Sequence, residues 1–186
     1  MRPAIFLDRD GVIIENRADY VRSWADVAIY PQALAALARL KAARWPVIIV
    51  TNQSMVGRGL VSLADAEAIN QRLVTTIASN GGQIDRVYMC PHAPDAACGC
   101  RKPQPGLLLQ AAEELALDVK GSILVGDALT DIEAAQAAGV GRAALVLTGR
   151  GAVQARLPEA TALGPPLLFD TLYAAVDAFL ASTPLP

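Results

Sequence analysis

Ile5-Phe6-Leu7-Asp8-Arg9-Asp10-Gly11-Val12 is an apolar run that ends on two carboxylates spaced two residues apart. The run has the length and composition of a buried strand. In α/β folds, ligands bind where such strands leave the sheet at their carboxyl ends. Beyond the strand the backbone is released from strict alternation, so both acids can approach one phosphate from different sides. A carboxylate can attack phosphorus covalently, but two acids facing a phosphate repel it unless a divalent cation reduces the charge. Magnesium, an oxygen-seeking cation, suits that task. Taken alone, Asp-x-Asp-Gly is equally a polar turn, since Asp and Gly are turn formers. The rest of the chain separates the two readings.

Working outward, short apolar runs at 4–7, 47–50, 86–89, 123–125 and 143–147 read as buried strands. Helical stripes fall between most of them: Leu34, Leu37 and Leu40, then Ile69, Leu73 and Ile77 behind Ser62, whose spacing to Asp65 resembles a capping box. Gly81 and Gly82 stop that second helix. A third helix is expected to open at Pro105 and carry Leu108, Ala112 and Leu115. A fourth runs over 129–138 and ends at Gly139, a natural left-handed cap. Residues 151–166 read as irregular, and Asp170 is expected to cap a last helix bearing Leu172, Val176 and Phe179. Alternating strands and helices predict an α/β, Rossmann-like three-layer sandwich with a mainly parallel sheet. At 186 residues the expectation is a single domain spanning 1–186.

The chain is 53% hydrophobic and carries a net charge of -2. That composition suits a packed core, and the charge argues against nucleic acid as a partner. No apolar run approaches the ~20 residues that span a bilayer, and the N-terminus enters a strand pattern without a charged leader, so no membrane association and a cytoplasmic location are expected.

Three further stretches carry polar chemistry at strand ends. Thr51-Asn52-Gln53-Ser54 places four hydrogen-bonding side chains after the second strand, where they can meet phosphate oxygens. Arg101-Lys102-Pro103 puts two cations ahead of a helix: Lys102 suits a transferring phosphoryl group, and Arg101 can fork onto substrate oxygens. Leu124-Val125-Gly126-Asp127 ends another strand on a carboxylate, with Asp131 one helical turn later. All three cysteines and the sole histidine fall within residues 90–100 as Cys90-Pro91-His92 and Cys98-Gly99-Cys100. Three thiolates and one imidazole are the ligands of a closed, structural zinc site. The loop runs directly into Arg101-Lys102, so the metal would stiffen the segment that presents those cations.

The order Asp-x-Asp, Thr, Lys, Gly-Asp-x-x-x-Asp resembles the haloacid-dehalogenase superfamily of phosphohydrolases over roughly residues 4–150. The resemblance implies that Asp8 attacks phosphorus and ligates magnesium. It makes Asp10 the acid and base, with its carbonyl on the metal. Thr51 and Lys102 hold the phosphoryl oxygens, Asp127 completes the magnesium ligands, and Asp131 orients from behind them. It also implies no large cap domain, which fits the short segments after Asp10 and Thr51. Substrate choice then falls to short loops carrying Asn16, Tyr20, Asn52, Gln53, Ser54 and Arg101. Within the superfamily the zinc loop, Gly57-Arg58-Gly59 and Leu-Thr-Gly-Arg-Gly at 147–151 resemble sugar-bisphosphate phosphatases, with the related histidinol-phosphate phosphatases as the alternative, and a monomer is expected. Met55 stands where the first group usually has glycine, and Ala128 where some members have lysine. A zinc-stabilised binding module without catalysis is the reading from another class.

Overall fold

The computed structural model describes residues 1–164 and 166–182. Strands β1 (Ile5–Leu7), β2 (Val47–Asn52), β3 (Arg86–Cys90), β4 (Ile123–Gly126), β5 (Arg142–Val146) and β6 (Leu167–Phe169) form one parallel sheet in the order β3-β2-β1-β4-β5-β6. The chain moves outward from β1 through β2 to β3, then returns to lay β4 on the other side of β1. That reversal opens a crevice between the carboxyl ends of β1 and β4. Register aligns those ends, because Leu7 stands opposite Ile49 of β2 and Val125 of β4.

Side-chain alternation sorts each strand between two cores. Ile5, Leu7, Val47, Ile49, Ile123 and Val125 pack with α1 (Pro31–Ala42), α3 (Leu63–Ser79) and α8 (Leu172–Ser182). Ala4, Phe6, Ile48, Val50 and Leu124 pack with α4 (Gly106–Glu114) and α5 (Leu129–Ala138). The stripe on α3 is buried as its period predicts, at Ile69, Leu73 and Ile77. Each such side chain contributes about 1.5–3 kcal/mol through removal from water. Ser62 caps α3: its Oγ accepts the Asp65 N–H at 3.0 Å. Gly139 ends α5 with φ +76°.

Several boundaries differ from expectation. Pro105 precedes α4 as its cap and Gly106 is the first helical residue. Residues 151–166 are not irregular throughout: they hold two short helices, α6 (Gly151–Gln154) and α7 (Pro158–Ala162), alongside the four-residue α2 (Ser54–Gly57) earlier in the chain. Strand β6 was not anticipated. The cap of α8 is Thr171 rather than Asp170, since the Thr171 Oγ1 accepts the Ala174 N–H at 3.2 Å. No described helix is long and apolar enough to cross a membrane.

Candidate active site

The crevice holds a cleft of about 590 Å³. Asp8, Asp10, Asn16, Tyr20, Asn52, Gln53, Ser54, Arg101, Lys102 and Asp131 all line it. Two of the expected site residues lie beneath its wall instead: Thr51 and Asp127 are fully buried.

Lys102 organises the floor. Its Nζ lies 3.0 Å from Asp8 Oδ1 and 2.5 Å from Asp131 Oδ1, and donates to the Val50 carbonyl at 2.8 Å. The ammonium is buried, which opposes its charge, but Asp131 and Asp8 outweigh that cost and hold its pKa above the ordinary value. Asn52 fixes the Lys102 backbone from both sides: its Nδ2 donates to the Lys102 carbonyl and its Oδ1 accepts the Lys102 N–H, each at 3.0 Å. Asn52, expected to meet substrate, thus spends its amide on positioning Lys102. Asp131 spends its other oxygen on the Ala128 N–H at the start of α5, at 3.1 Å.

Asp10 is held by Arg9. The Arg9 guanidinium is wholly buried and forks onto it, Nε to Oδ2 at 3.0 Å and Nη2 to Oδ1 at 3.2 Å. The third nitrogen donates to Asn70 Oδ1 on α3 at 2.8 Å. Gln53 Nε2 donates to Asp10 Oδ2 at 2.7 Å and to Thr51 Oγ1 at 2.8 Å.

Asp127 sits behind two glycines. A Cβ on Gly11 (φ +82°) would fall 2.1 Å from Asp127 Oδ2, and one on Gly149 (φ +59°) would fall 2.4 Å from it and 2.5 Å from the Gly11 Cα. Neither position accepts a side chain without displacing the carboxylate. Arg150 covers Asp127, with Nη2 3.1 Å from Oδ1 and the Arg150 N–H donating to Oδ2 at 2.8 Å. Burial, then the Asp8 charge, push the Asp127 carboxyl up, while Arg150 pulls it down. Asp131 is pushed up to about 6, first by burial and then by Asp8 and Asp127, with Lys102 opposing.

Asp8, Asp127 and Asp131 bring carboxylate oxygens within 4.8 Å of one another. Among the described residues two cations, Lys102 and Arg150, pair with these three acids. The shortfall of positive charge, with oxygen-only donors, fits a divalent cation such as magnesium. A phosphate entering the cleft would add to that shortfall.

Cys90, His92, Cys98 and Cys100 also converge within 4.8 Å. Cys90–Cys98 and Cys98–Cys100 Sγ separations are both 3.7 Å. Tetrahedral zinc–sulfur bonds of about 2.3 Å produce edges of about 3.7 Å. Cys90 and Cys100 stand closer, at 2.9 Å, and His92 Nδ1 lies 3.2 Å from the Cys100 sulfur. The cluster could hold a zinc ion. Its loop is tied to the cleft wall, because Gly57 N–H donates to the Pro91 carbonyl at 2.7 Å. Arg101 Nη1 rests 3.5 Å from the His92 carbonyl.

Sequence reasoning passed over Arg9, Arg150 and Arg17, the last of which also lines the cleft. Arg9 is the unassigned middle residue of Asp-x-Asp, although a cation between two acids at a strand end is itself a cue. Arg150 lay inside a stretch singled out only as a likeness, Leu-Thr-Gly-Arg-Gly.

A buried lysine joining Asp8 at the end of β1 to Asp131 on α5, with Asp127 at the end of β4 and a second acid two residues beyond Asp8, defines a phosphohydrolase of the haloacid-dehalogenase type. The HAD-hydrolase-like family model matches residues 99–175. The chain is 41% identical over 181 residues to D-glycero-beta-D-manno-heptose-1,7-bisphosphate 7-phosphatase of Pseudomonas aeruginosa, covering 96% of this chain and 98% of that one. It is 42% identical over 160 residues to the protein of the same name from Bordetella bronchiseptica, covering 84% and 89%. The crystal structure of the D,D-heptose 1,7-bisphosphate phosphatase from B. bronchiseptica, complexed with magnesium and phosphate, superposes with a TM-score of 0.88 at 36% identity, covering 98% of this chain and all of that one. The chain belongs to the family of D-glycero-beta-D-manno-heptose-1,7-bisphosphate 7-phosphatases.

Proposed function

We propose that this protein removes the 7-phosphate of D-glycero-β-D-manno-heptose 1,7-bisphosphate, with Asp8 as nucleophile and magnesium as cofactor. The observation that carries the reading is the state of the two Asp8 oxygens. Oδ1 is engaged by Lys102 Nζ at 3.0 Å and by the Arg9 N–H at 2.8 Å. Oδ2 has no partner among the described residues, so it is the oxygen left to attack phosphorus.

Attack by Oδ2 forms an aspartyl phosphate as the bond from phosphorus to the sugar oxygen breaks, and Asp10 gives that oxygen a proton. Asp10, then a carboxylate, takes a proton from water. The water oxygen attacks phosphorus, freeing Asp8 and inorganic phosphate. Lys102 and the Thr51 hydroxyl hold the phosphoryl oxygens, and Asp131 keeps Lys102 charged and in place. Asp8, Asp127 and the Asp10 carbonyl would hold magnesium, which when bound offsets the charge of acids and phosphate. Cys90, His92, Cys98 and Cys100 would hold zinc, and with it the loop that carries Arg101.

Arg17, Arg101 and Arg150 line the cleft. Guanidinium groups suit a substrate with a second phosphate and repel the amine of histidinol phosphate, which disfavours that alternative. A binding module without catalysis would have no use for Asp8 and Asp10 so placed. Asn16, Tyr20, Gln53 and Ser54 contact the sugar in this reading, and the chain acts as a single-domain cytoplasmic monomer over residues 1–186.

The test is magnesium-dependent phosphate release from the heptose bisphosphate and from histidinol phosphate, each with wild type and Asp8→Asn. The bisphosphate should be strongly preferred, and the folded variant should be inactive. Preference for histidinol phosphate would overturn the substrate, and turnover by Asp8→Asn would overturn the nucleophile.

A further inference from the structure

Arg150 presents a contradiction between exposure and partner. Its side chain is 56% exposed, yet it is paired to a carboxylate that is fully buried. Both Asp127 oxygens are occupied: Oδ1 by Nη2 at 3.1 Å, and Oδ2 by the Arg150 N–H at 2.8 Å, with Nε at 3.4 Å and Asn16 Nδ2 at 3.3 Å. A cation held by Asp127 needs one of these oxygens. At Oδ1 the only contact among the described residues is the guanidinium.

The turn that carries Arg150 does not depend on that guanidinium. Thr148 Oγ1 donates to the Gly11 carbonyl at 2.6 Å, Gly151 N–H donates to the Thr148 carbonyl at 3.0 Å, and the Arg150 main chain bonds Asp127 directly. If a divalent cation takes Oδ1, the backbone stays fastened while the side chain loses its partner and is repelled. Half-exposed ion pairs are weak, so the displacement costs little. The cleft is at hand, because Gly149 and Arg150 line it.

We propose that Arg150 is a specificity residue that guards Asp127 in the cation-free protein and, once the cation is held, grips the substrate's phosphate remote from the reacting one. The proposal rests on the bisphosphate reading above and adds a residue to it. Arg150 follows β5, whereas Arg101 follows the loop after β3, on the other side of β1 and β4 in the sheet. The two guanidiniums therefore enter the cleft from opposite walls. A planar guanidinium forks onto phosphate with two parallel hydrogen bonds, which a hydroxyl-only sugar position would not reward.

Two measurements test it. Calorimetric titration of magnesium into the substrate-free protein should give binding about threefold tighter for Arg150→Ala than for wild type, because a competitor and a like charge are gone. The ratio of kcat/KM for heptose 1,7-bisphosphate over heptose 7-phosphate should fall about tenfold or more in Arg150→Ala, with part of it kept in Arg150→Lys. Magnesium binding that is unchanged or weaker would overturn the guarding role. Equal loss on both substrates, or an unchanged ratio, would overturn the specificity role while leaving the proposed function standing. A wild-type enzyme with no preference for the bisphosphate would overturn both together.

Discussion

Asp131→Asn tests whether the floor of the cleft is short of positive charge. The Asp131 carboxyl is fully buried and displaced from 3.8 to about 6, first by burial and then by Asp8 and Asp127. An acid whose pKa is raised on folding binds more protons in the folded state, so its ionisation destabilises the fold as pH climbs from about 4 through about 6. Holding this carboxylate ionised costs the folded state about 3 kcal/mol at neutral pH, and about 1 kcal/mol of that is recovered on going from pH 7 to pH 5. Asparagine cannot titrate. It also cannot accept from both Lys102 and the Ala128 N–H as the carboxylate does, a loss of about 1–3 kcal/mol that does not vary over this range. Urea unfolding of magnesium-free protein at pH 5 and pH 7 separates the terms, since titrating groups remote from Asp131 are common to both proteins and cancel in the comparison, leaving Asp131 and the groups coupled to it. Wild type should gain about 1 kcal/mol more than the variant on acidification. Parallel pH dependence would refute the charge-shortfall argument, and a larger gain in the variant would reverse its sign.

Cys98→Ser should remove zinc, with metal analysis falling from about one ion per chain to none; retention of stoichiometric zinc would show that Cys98 is not a ligand. Gly149→Ala should lower stability by about 2 kcal/mol or more in thermal unfolding, because its Cβ has no room beside Gly11 and Asp127 and its φ is positive. A neutral result would mean that the turn relaxes freely. Arg101→Ala should weaken kcat/KM on the heptose bisphosphate about tenfold more than on a small monophosphate ester; equal losses would place Arg101 at the shared phosphoryl site.

The strands were legible because buried parallel strands are short, continuous and apolar, and β1, β2 and β4 led into Asp8, Thr51-Asn52 and Asp127, which line or underlie the cleft. The long helices were legible through Leu73 and its stripe, and through Ser62 and Gly139 at their ends. What escaped lacked a period. Helices α6 and α7 span four and five residues, fewer than two turns, and β6 has three residues at a sheet edge with Leu167 and Leu168 about half exposed. The contacts that Asn52 and Gln53 make within the protein were not legible for a different reason. A polar side chain after a strand is equally able to meet a ligand or its own neighbours, and only the approach of Lys102 and Asp10 in space assigns their amides to those residues. Arg9 needed the same spatial knowledge, though Asn70 gave a hint: it is a buried polar residue on the otherwise apolar face of α3.

The chain of contacts from Asp10 through Arg9 to Asn70 ties the proposed acid and base to the body of the protein. The aim of the Asp10 carboxylate is inherited from where α3 packs against the sheet. In a mutational screen scored by turnover, lesions at Asn70, and at core positions such as Leu73 that set the seating of α3, would therefore register as losses of activity before any loss of soluble protein. A map built from such scores would draw the active site larger than the cleft, extending it across the sheet into a helix that never meets substrate.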